Sequence, residues 1–97
     1  MTEKLTDARR AEITPEREAA GWKVTEDALT KSFVFRNFVE AWGFMSQCAI
    51  WAEKLNHHPE WSNVYKTVEV KLTTHDVDGL SELDVRFAEK MDELSRA

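Results

Sequence analysis

The sequence predicts an α+β domain, a four-stranded antiparallel sheet with helices packed on one face, in the order α-β-β-α-β-β-α. Three observations predict it. Apolar residues recur at three- and four-residue steps from Phe38 to Leu55, the period of a helix of about five turns. Residues Leu29 to Arg36 and Val68 to Thr73 alternate at a two-residue period, the signature of strands. The strand patterns fall in pairs between helical ones, which suits an antiparallel sheet covered on one side.

Each element has its local reason. Residues 1–5 form a flexible N-terminal segment, and residues 6–97 form the single domain. Thr6 caps a short helix through about Ile13, with Asp7 near its positive end. Thr14-Pro15 should break that helix. A further turn runs from Pro15 to Ala20, and Gly21 ends it. Trp22-Lys23-Val24 begins an extended segment, and Glu26-Asp27 makes a turn. In the next strand Leu29, Phe33 and Phe35 share one face, with the polar Lys31 among them.

Asn37 and Glu40 are spaced as a capping box for the long helix. Its apolar face is expected to comprise Phe38, Ala41, Trp42, Met45, Ala49, Ala52 and Leu55. Gly43 and Ser46 would admit a close neighbour. Pro59 disfavours helical geometry at His58, so the helix should end near Leu55-Asn56. Trp61–Tyr65 is a short strand, Val68–Thr73 the clearest one, and Asp76–Gly79 a loop. Ser81 caps the last helix with Asp84 at its third position. Leu80 and Val85 are placed for a hydrophobic staple across that cap. Leu83, Phe87, Met91 and Leu94 form the stripe to be buried, and the charges between Glu82 and Glu93 are read as a solvated face. Val34 and Val64 have the wrong parity for the core and hint at a subunit interface.

Composition narrows the function. Ninety-seven residues make one domain that buries roughly 60–65% of its unfolded surface, so association would usefully bury more. A net charge of −5 argues against a sequence-independent grip on nucleic acid. No run approaches the roughly 20 apolar residues that span a bilayer. Met1-Thr2-Glu3-Lys4-Leu5-Thr6 lacks an apolar core, so no signal peptide is expected. Cys48 is alone, which precludes a disulfide framework and suits the cytoplasm.

All three histidines sit at element ends: His57 and His58 past the long helix, and His75 after a strand. Histidine is the side chain whose charge changes most readily near neutrality. Glu53 lies one turn before the pair, Pro59 stiffens the exit, and Trp61 offers a flat stacking surface. Thr73 and Thr74 bring hydroxyls beside His75. If strand and helix exit are neighbours, three imidazoles line one cleft, a set suited to general acid–base catalysis. Asp84 is a capping carboxylate that could also orient a histidine. No metal is expected: adjacent histidines on an extended segment point apart, and neither HExxH nor CxxC occurs. Trp42 and Trp51 are read as core or interface.

The stretch Glu53-Lys54-Leu55-Asn56-His57-His58-Pro59-Glu60-Trp61-Ser62-Asn63-Val64-Tyr65, followed by Val68–Asp76 and Gly79–Asp84, closely resembles the pterin-4a-carbinolamine dehydratase family. The likeness extends upstream through Gly21-Trp22, Phe33–Phe38 and Ala41–Met45. It implies a four-stranded α+β domain that forms dimers, or tetramers of two dimers. It implies removal of water from 4a-hydroxytetrahydropterin to give quinonoid dihydropterin, regenerating the cofactor of aromatic amino acid hydroxylases. No metal or organic cofactor is implied. By motif position the active-site histidines are His57, His58 and His75, and Asp84 matches an aspartate that could orient one of them. Asn56, Thr73, Thr74 and Asp76 fall where the family contacts the pterin. Asn56 stands where some relatives have Asp, and Asp76 where some have Glu. Some animal members also serve as dimerisation partners of a homeodomain transcription factor, through a helix. Exposed Phe44, Cys48 and Trp51 would favour that alternative, a binding module with little catalysis.

Overall fold

A computed structural model describes residues 2–96. Helix α1 spans Asp7–Ala19, strand β1 Lys23–Val24, β2 Leu29–Val34 and helix α2 Phe38–Leu55. Strands β3, Glu60–Val64, and β4, Thr67–Leu72, follow, then a 3₁₀ turn at His75–Val77 and helix α3, Glu82–Ser95. The order is the one expected. All neighbours in the sheet β1-β2-β4-β3 are antiparallel. The register places Lys31, Val70 and Trp61 in one row across β2, β4 and β3, and Phe33, Val68 and Asn63 in the next. Leu29, Phe33, Val68, Val70 and Leu72 are buried against the helices with Lys31 on the same side, and residues of the other parity face outward, as the two-residue period of a strand requires.

Helix α1 does not break at Thr14-Pro15 but runs through it. Pro15 forgoes one backbone hydrogen bond, a loss of about 3 kcal/mol in an isolated helix. Tertiary contacts offset it: Ile13 is buried, and Arg17 pairs with Asp92 on α3. The Thr14 hydroxyl also donates to the Arg10 carbonyl at 2.6 Å. Leu5, expected in the flexible segment, is buried, and its N–H donates to the Leu80 carbonyl at 2.8 Å. Met1 of that segment lies outside the described residues.

The buried face of α2 is rotated from expectation. Ala41, Phe44, Cys48 and Ala52 are buried, whereas Phe38, Trp42 and Ala49 are exposed. Apolar residues surround this helix, so several phases satisfy the pattern, and contact with β4 and α3 selects one. Phe44 and Cys48, proposed above as an exposed partner face, are therefore core. Trp51 is half-buried beneath Lys54 and Lys90. The exposed apolar set is Phe38, Val39, Trp42 and Ile50, joined at the sheet end by Val34, Val64 and Tyr65.

On α3 the capping box of Ser81 and Asp84 is formed. Leu83 and Leu94 are only half-buried, and Val85, Phe87, Ala88 and Met91 carry the stripe. Asp92 departs from the expected solvated face. It is buried and accepts hydrogen bonds from Trp22 Nε1, Lys31 Nζ and Arg17. Lys31, the polar residue on the apolar side of β2, thereby finds its partner. Arg9 grips Glu82 through two nitrogens and holds its carboxyl below the usual range.

Candidate active site

The site begins where α2 stops. Asn56 adopts a left-handed conformation, φ 51° and ψ 45°, and the His57 N–H donates back to the Ala52 carbonyl at 3.0 Å. Asn tolerates that conformation better than most residues. The turn sends His57 inward and leaves His58 at the surface. Pro59 keeps His58 out of helical geometry, and β3 starts at Glu60. From the other side, β4 ends at Leu72 and delivers Thr73, Thr74 and His75. The bridge between Thr74 and Gly79 closes the following loop. Asn56, His57, His58, Thr73, Thr74, His75 and Asp76 line one open cleft of about 260 Å³.

Each imidazole Nε2 meets a carboxylate. His57 lies 2.5 Å from Asp84 Oδ1, His58 2.5 Å from Glu53 Oε2, and His75 2.9 Å from Glu60 Oε2. The pairs differ in environment. Asp84 is fully buried and His57 nearly so, whereas the His58 and His75 pairs are open to water. A neutral ring facing a carboxylate carries its proton on the nitrogen nearest it, which leaves Nδ1 as the lone-pair atom.

Asp84 is held on its far side as well. Its Oδ2 accepts from the Thr74 hydroxyl at 2.7 Å and from the Ser81 N–H at 3.0 Å. Thr74 has one hydroxyl proton, so at 2.8 Å the Ser81 hydroxyl donates to Thr74. The hydroxyl chain from the helix cap thus ends on the Asp84 carboxylate, whose other oxygen is left to accept from His57. The Thr73 hydroxyl is committed to the Asp27 carbonyl at 2.7 Å.

The sequence reading placed Glu53, Pro59 and Trp61 in the same site. Glu53 reaches it through His58. Pro59 and Trp61 are not among the cleft's lining residues. Trp61 packs half-buried against the core and borders a different hollow, about 560 Å³, beside the sheet. That hollow is larger, but no imidazole lines it, so the chemistry points to the smaller cleft. The sequence reading passed over Glu60. Its position two residues after His58 was the available signal, because alternate residues of extended chain share a side.

Among the described residues no group of three or more His, Cys, Asp or Glu side chains is arranged to hold a metal ion, and no helix is long and apolar enough to cross a membrane. Burial pushes the Cys48 thiol up to about 12.

Comparison with known proteins identifies the family. A protein of Roseobacter denitrificans, provisionally named pterin-4-alpha-carbinolamine dehydratase, is 59% identical over 98% of this chain and 99% of its own. One of Jannaschia with the same provisional name is 59% identical over 99% of this chain and all of its own. A crystal structure from Brucella melitensis, titled a transcriptional coactivator/pterin dehydratase, superposes with a TM-score of 0.83 at 42% identity, covering 96% of this chain and 99% of that one. A pterin dehydratase-like protein described as a RuBisCO assembly factor in the alpha-carboxysome shares the fold, with a TM-score of 0.65 at 23% identity over 76% of this chain and 86% of that one. The family model described as Pterin 4 alpha carbinolamine dehydratase matches residues 3–94, and the chain belongs to that family.

Proposed function

We propose that this protein dehydrates 4a-hydroxytetrahydropterin to quinonoid dihydropterin and water, as a hydro-lyase serving tetrahydropterin recycling in the cytoplasm. The observation that carries the reading is the convergence of three imidazoles, each backed by a carboxylate, on one cleft. Expelling the 4a-hydroxyl needs a proton on the leaving oxygen while a ring-nitrogen lone pair forms the new C=N bond. A proton then leaves the ring nitrogen. An imidazolium supplies the first proton and a neutral imidazole accepts the second, which leaves the two rings with exchanged charge; a proton passed between them through water restores the starting state. His57 and His75 are the acid–base pair in this reading, and His58 orients the ring. Carbinolamines lose water unaided, so a few kcal/mol of barrier lowering suffices, and a covalent nucleophile is unnecessary.

The test replaces His57 and His75 singly with Ala and follows quinonoid formation. A loss of roughly 10²-fold or more is expected for each. Wild-type rates in both variants would sink the assignment.

We also propose that the protein works as a homodimer or homotetramer, with a pathway link to an aromatic amino acid hydroxylase. The exposed apolar set on α2, Phe38, Val39, Trp42 and Ile50, supports the oligomer. The same face supports the second reading, a dimerisation module for another helical protein. Pterin turnover measured beside partner capture separates the two.

A further inference from the structure

We propose that Glu60 is a positioning residue for His75: it holds the His75 ring at the edge of the cleft with Nε2 protonated and Nδ1 bare, ready to accept a proton. The inference rests on the dehydratase reading for its kinetic consequence, but not for the ring geometry.

The two residues come from neighbouring strands, and Glu60 reaches His75 from outside the cleft, where it borders the larger hollow beside the sheet. His75 opens the 3₁₀ turn after β4, and Glu60 opens β3 directly after the His57-His58-Pro59 run. Their separation of 2.9 Å between Nε2 and Oε2 is a charge-assisted hydrogen-bond distance. The pair ties the turn carrying His75 to the segment carrying the other two histidines. Pro59, with its fixed φ, sits between His58 and Glu60 and sets the direction in which Glu60 leaves. Lys71 is the cross-strand partner of Glu60. Asn56, His57, His58, Thr73, Thr74 and Asp76 are the other polar side chains around His75 in the cleft.

His75 is otherwise the least constrained of the three rings, with 82% of its side chain exposed. A free surface imidazole samples several rotamers and both tautomers. A carboxylate on Nε2 selects one of each, the role that an acidic partner plays for an active-site histidine elsewhere. In water the contact is worth little, as for exposed ion pairs generally. A flat heterocycle seated in the cleft would shield it, and it would strengthen as water left.

The experiment compares Glu60→Ala and Glu60→Gln with the parent protein, and Glu69→Ala serves as a control on the exposed sheet face. An exposed pair of this kind predicts a kcat lower by about threefold to tenfold in Glu60→Ala, with KM within about twofold. Glu60→Gln keeps a carbonyl acceptor for Nε2–H and is expected to recover part of that loss. In a His75→Ala background, Glu60→Ala should add nothing further, because the group it positions is gone. Nitrogen-15 spectra of the imidazoles provide a readout independent of turnover. The parent His75 should show one Nε2–H form, and Glu60→Ala a mixture of tautomers. Unchanged kcat in Glu60→Ala, or a loss that adds fully to that of His75→Ala, overturns the proposal while leaving the dehydratase reading intact. If the parent protein turns over no pterin, the dehydratase reading fails instead. The ring spectrum then decides on Glu60, and an unaltered tautomer in Glu60→Ala overturns it.

Discussion

His57 Nε2 stands 2.5 Å from Asp84 Oδ1, and the other oxygen of that carboxylate already accepts from Thr74 and the Ser81 backbone. The aspartate therefore has one free side, and His57 occupies it. Exchange to Asn keeps the shape but not the chemistry. The amide oxygen must serve the two donors, so the NH₂ group faces His57 and turns Nε2 into an acceptor. An Nε2 held as an acceptor disfavours the imidazolium, which needs a proton on both nitrogens, so His57 loses the charged form in which it would serve as the acid beside His75. Asp84→Asn is expected to fold and to lose roughly 10²–10⁴-fold in turnover. Steady-state assays beside circular dichroism check this. Full activity in a folded Asp84→Asn protein would contradict it.

His58 and Glu53 form an exposed pair, with side chains 59% and 78% accessible. Such a pair adds at most about 1 kcal/mol to stability. His58→Ala should leave the melting temperature nearly unchanged. If the ring orients the pterin, KM rises while kcat stays within about fivefold, the split expected when ground-state and transition-state binding are lost together. A fall in kcat as deep as that of His57→Ala would assign His58 to the proton transfers instead.

Asp92 is the anchor of the far side of the molecule. Removing it leaves Trp22 Nε1 without its acceptor and strips Lys31 of its counter-charge, the ammonium keeping only the Ala20 carbonyl. Asp92→Ala is expected to destabilise the fold by about 3–5 kcal/mol, as broken buried pairs do. For a domain of this size each kcal/mol moves the melting temperature by about 4–8 °C. Thermal unfolding monitored by tryptophan fluorescence provides the measurement. Lys31→Met in the same protein should restore part of the loss by removing the stranded charge.

Cys48 is buried and its thiol is pushed up to about 12 by desolvation. The sign follows from linkage: the folded state prefers the neutral thiol. Stability from this group is intact below about pH 8.5, the unfolded thiol value, and is lost as pH rises towards 12. At pH 8 the native thiol should alkylate at least about 100-fold more slowly than in denaturant. Equal rates in the two conditions would show that the site opens freely.

The apolar face of α2 predicts association. Trp42→Glu or Ile50→Glu places a charge in the exposed stripe and should shift the species to a smaller mass in light scattering. An unchanged mass in both variants would move the interface elsewhere.

Much of this molecule is legible in its sequence, and the exceptions share one cause. Asn37 and Ser81 announce their helices because capping is local: Asn37 Oδ1 accepts from the Glu40 N–H at 2.9 Å, and the Ser81 box is complete. Periods of two and 3.6 residues find the strands and helices for the same reason. The phase of α2 was misread because Phe38, Trp42, Phe44, Met45 and Ile50 surround the helix, and only its neighbours choose the buried side. Pro15 misled because an isolated helix would break there, whereas Arg17 is tied to a residue 75 positions away. The histidines stand out by type and motif. Asp84 and Glu53 are legible beside them, but Glu60 is not, because it and His75 are 15 residues apart and meet only through strand pairing. Trp61 looks like a ligand platform from its place in the motif, but the parity of β3 turns it towards the helices.

The stretch 57–60 feeds three separate carboxylate contacts from four consecutive positions: His57 to Asp84, His58 to Glu53, and Glu60 to His75. A substitution there alters one contact. An insertion or deletion of a single residue shifts all three out of step together. Chain length is therefore the guarded quantity in this loop, and chimeras between relatives should exchange it as one intact cassette.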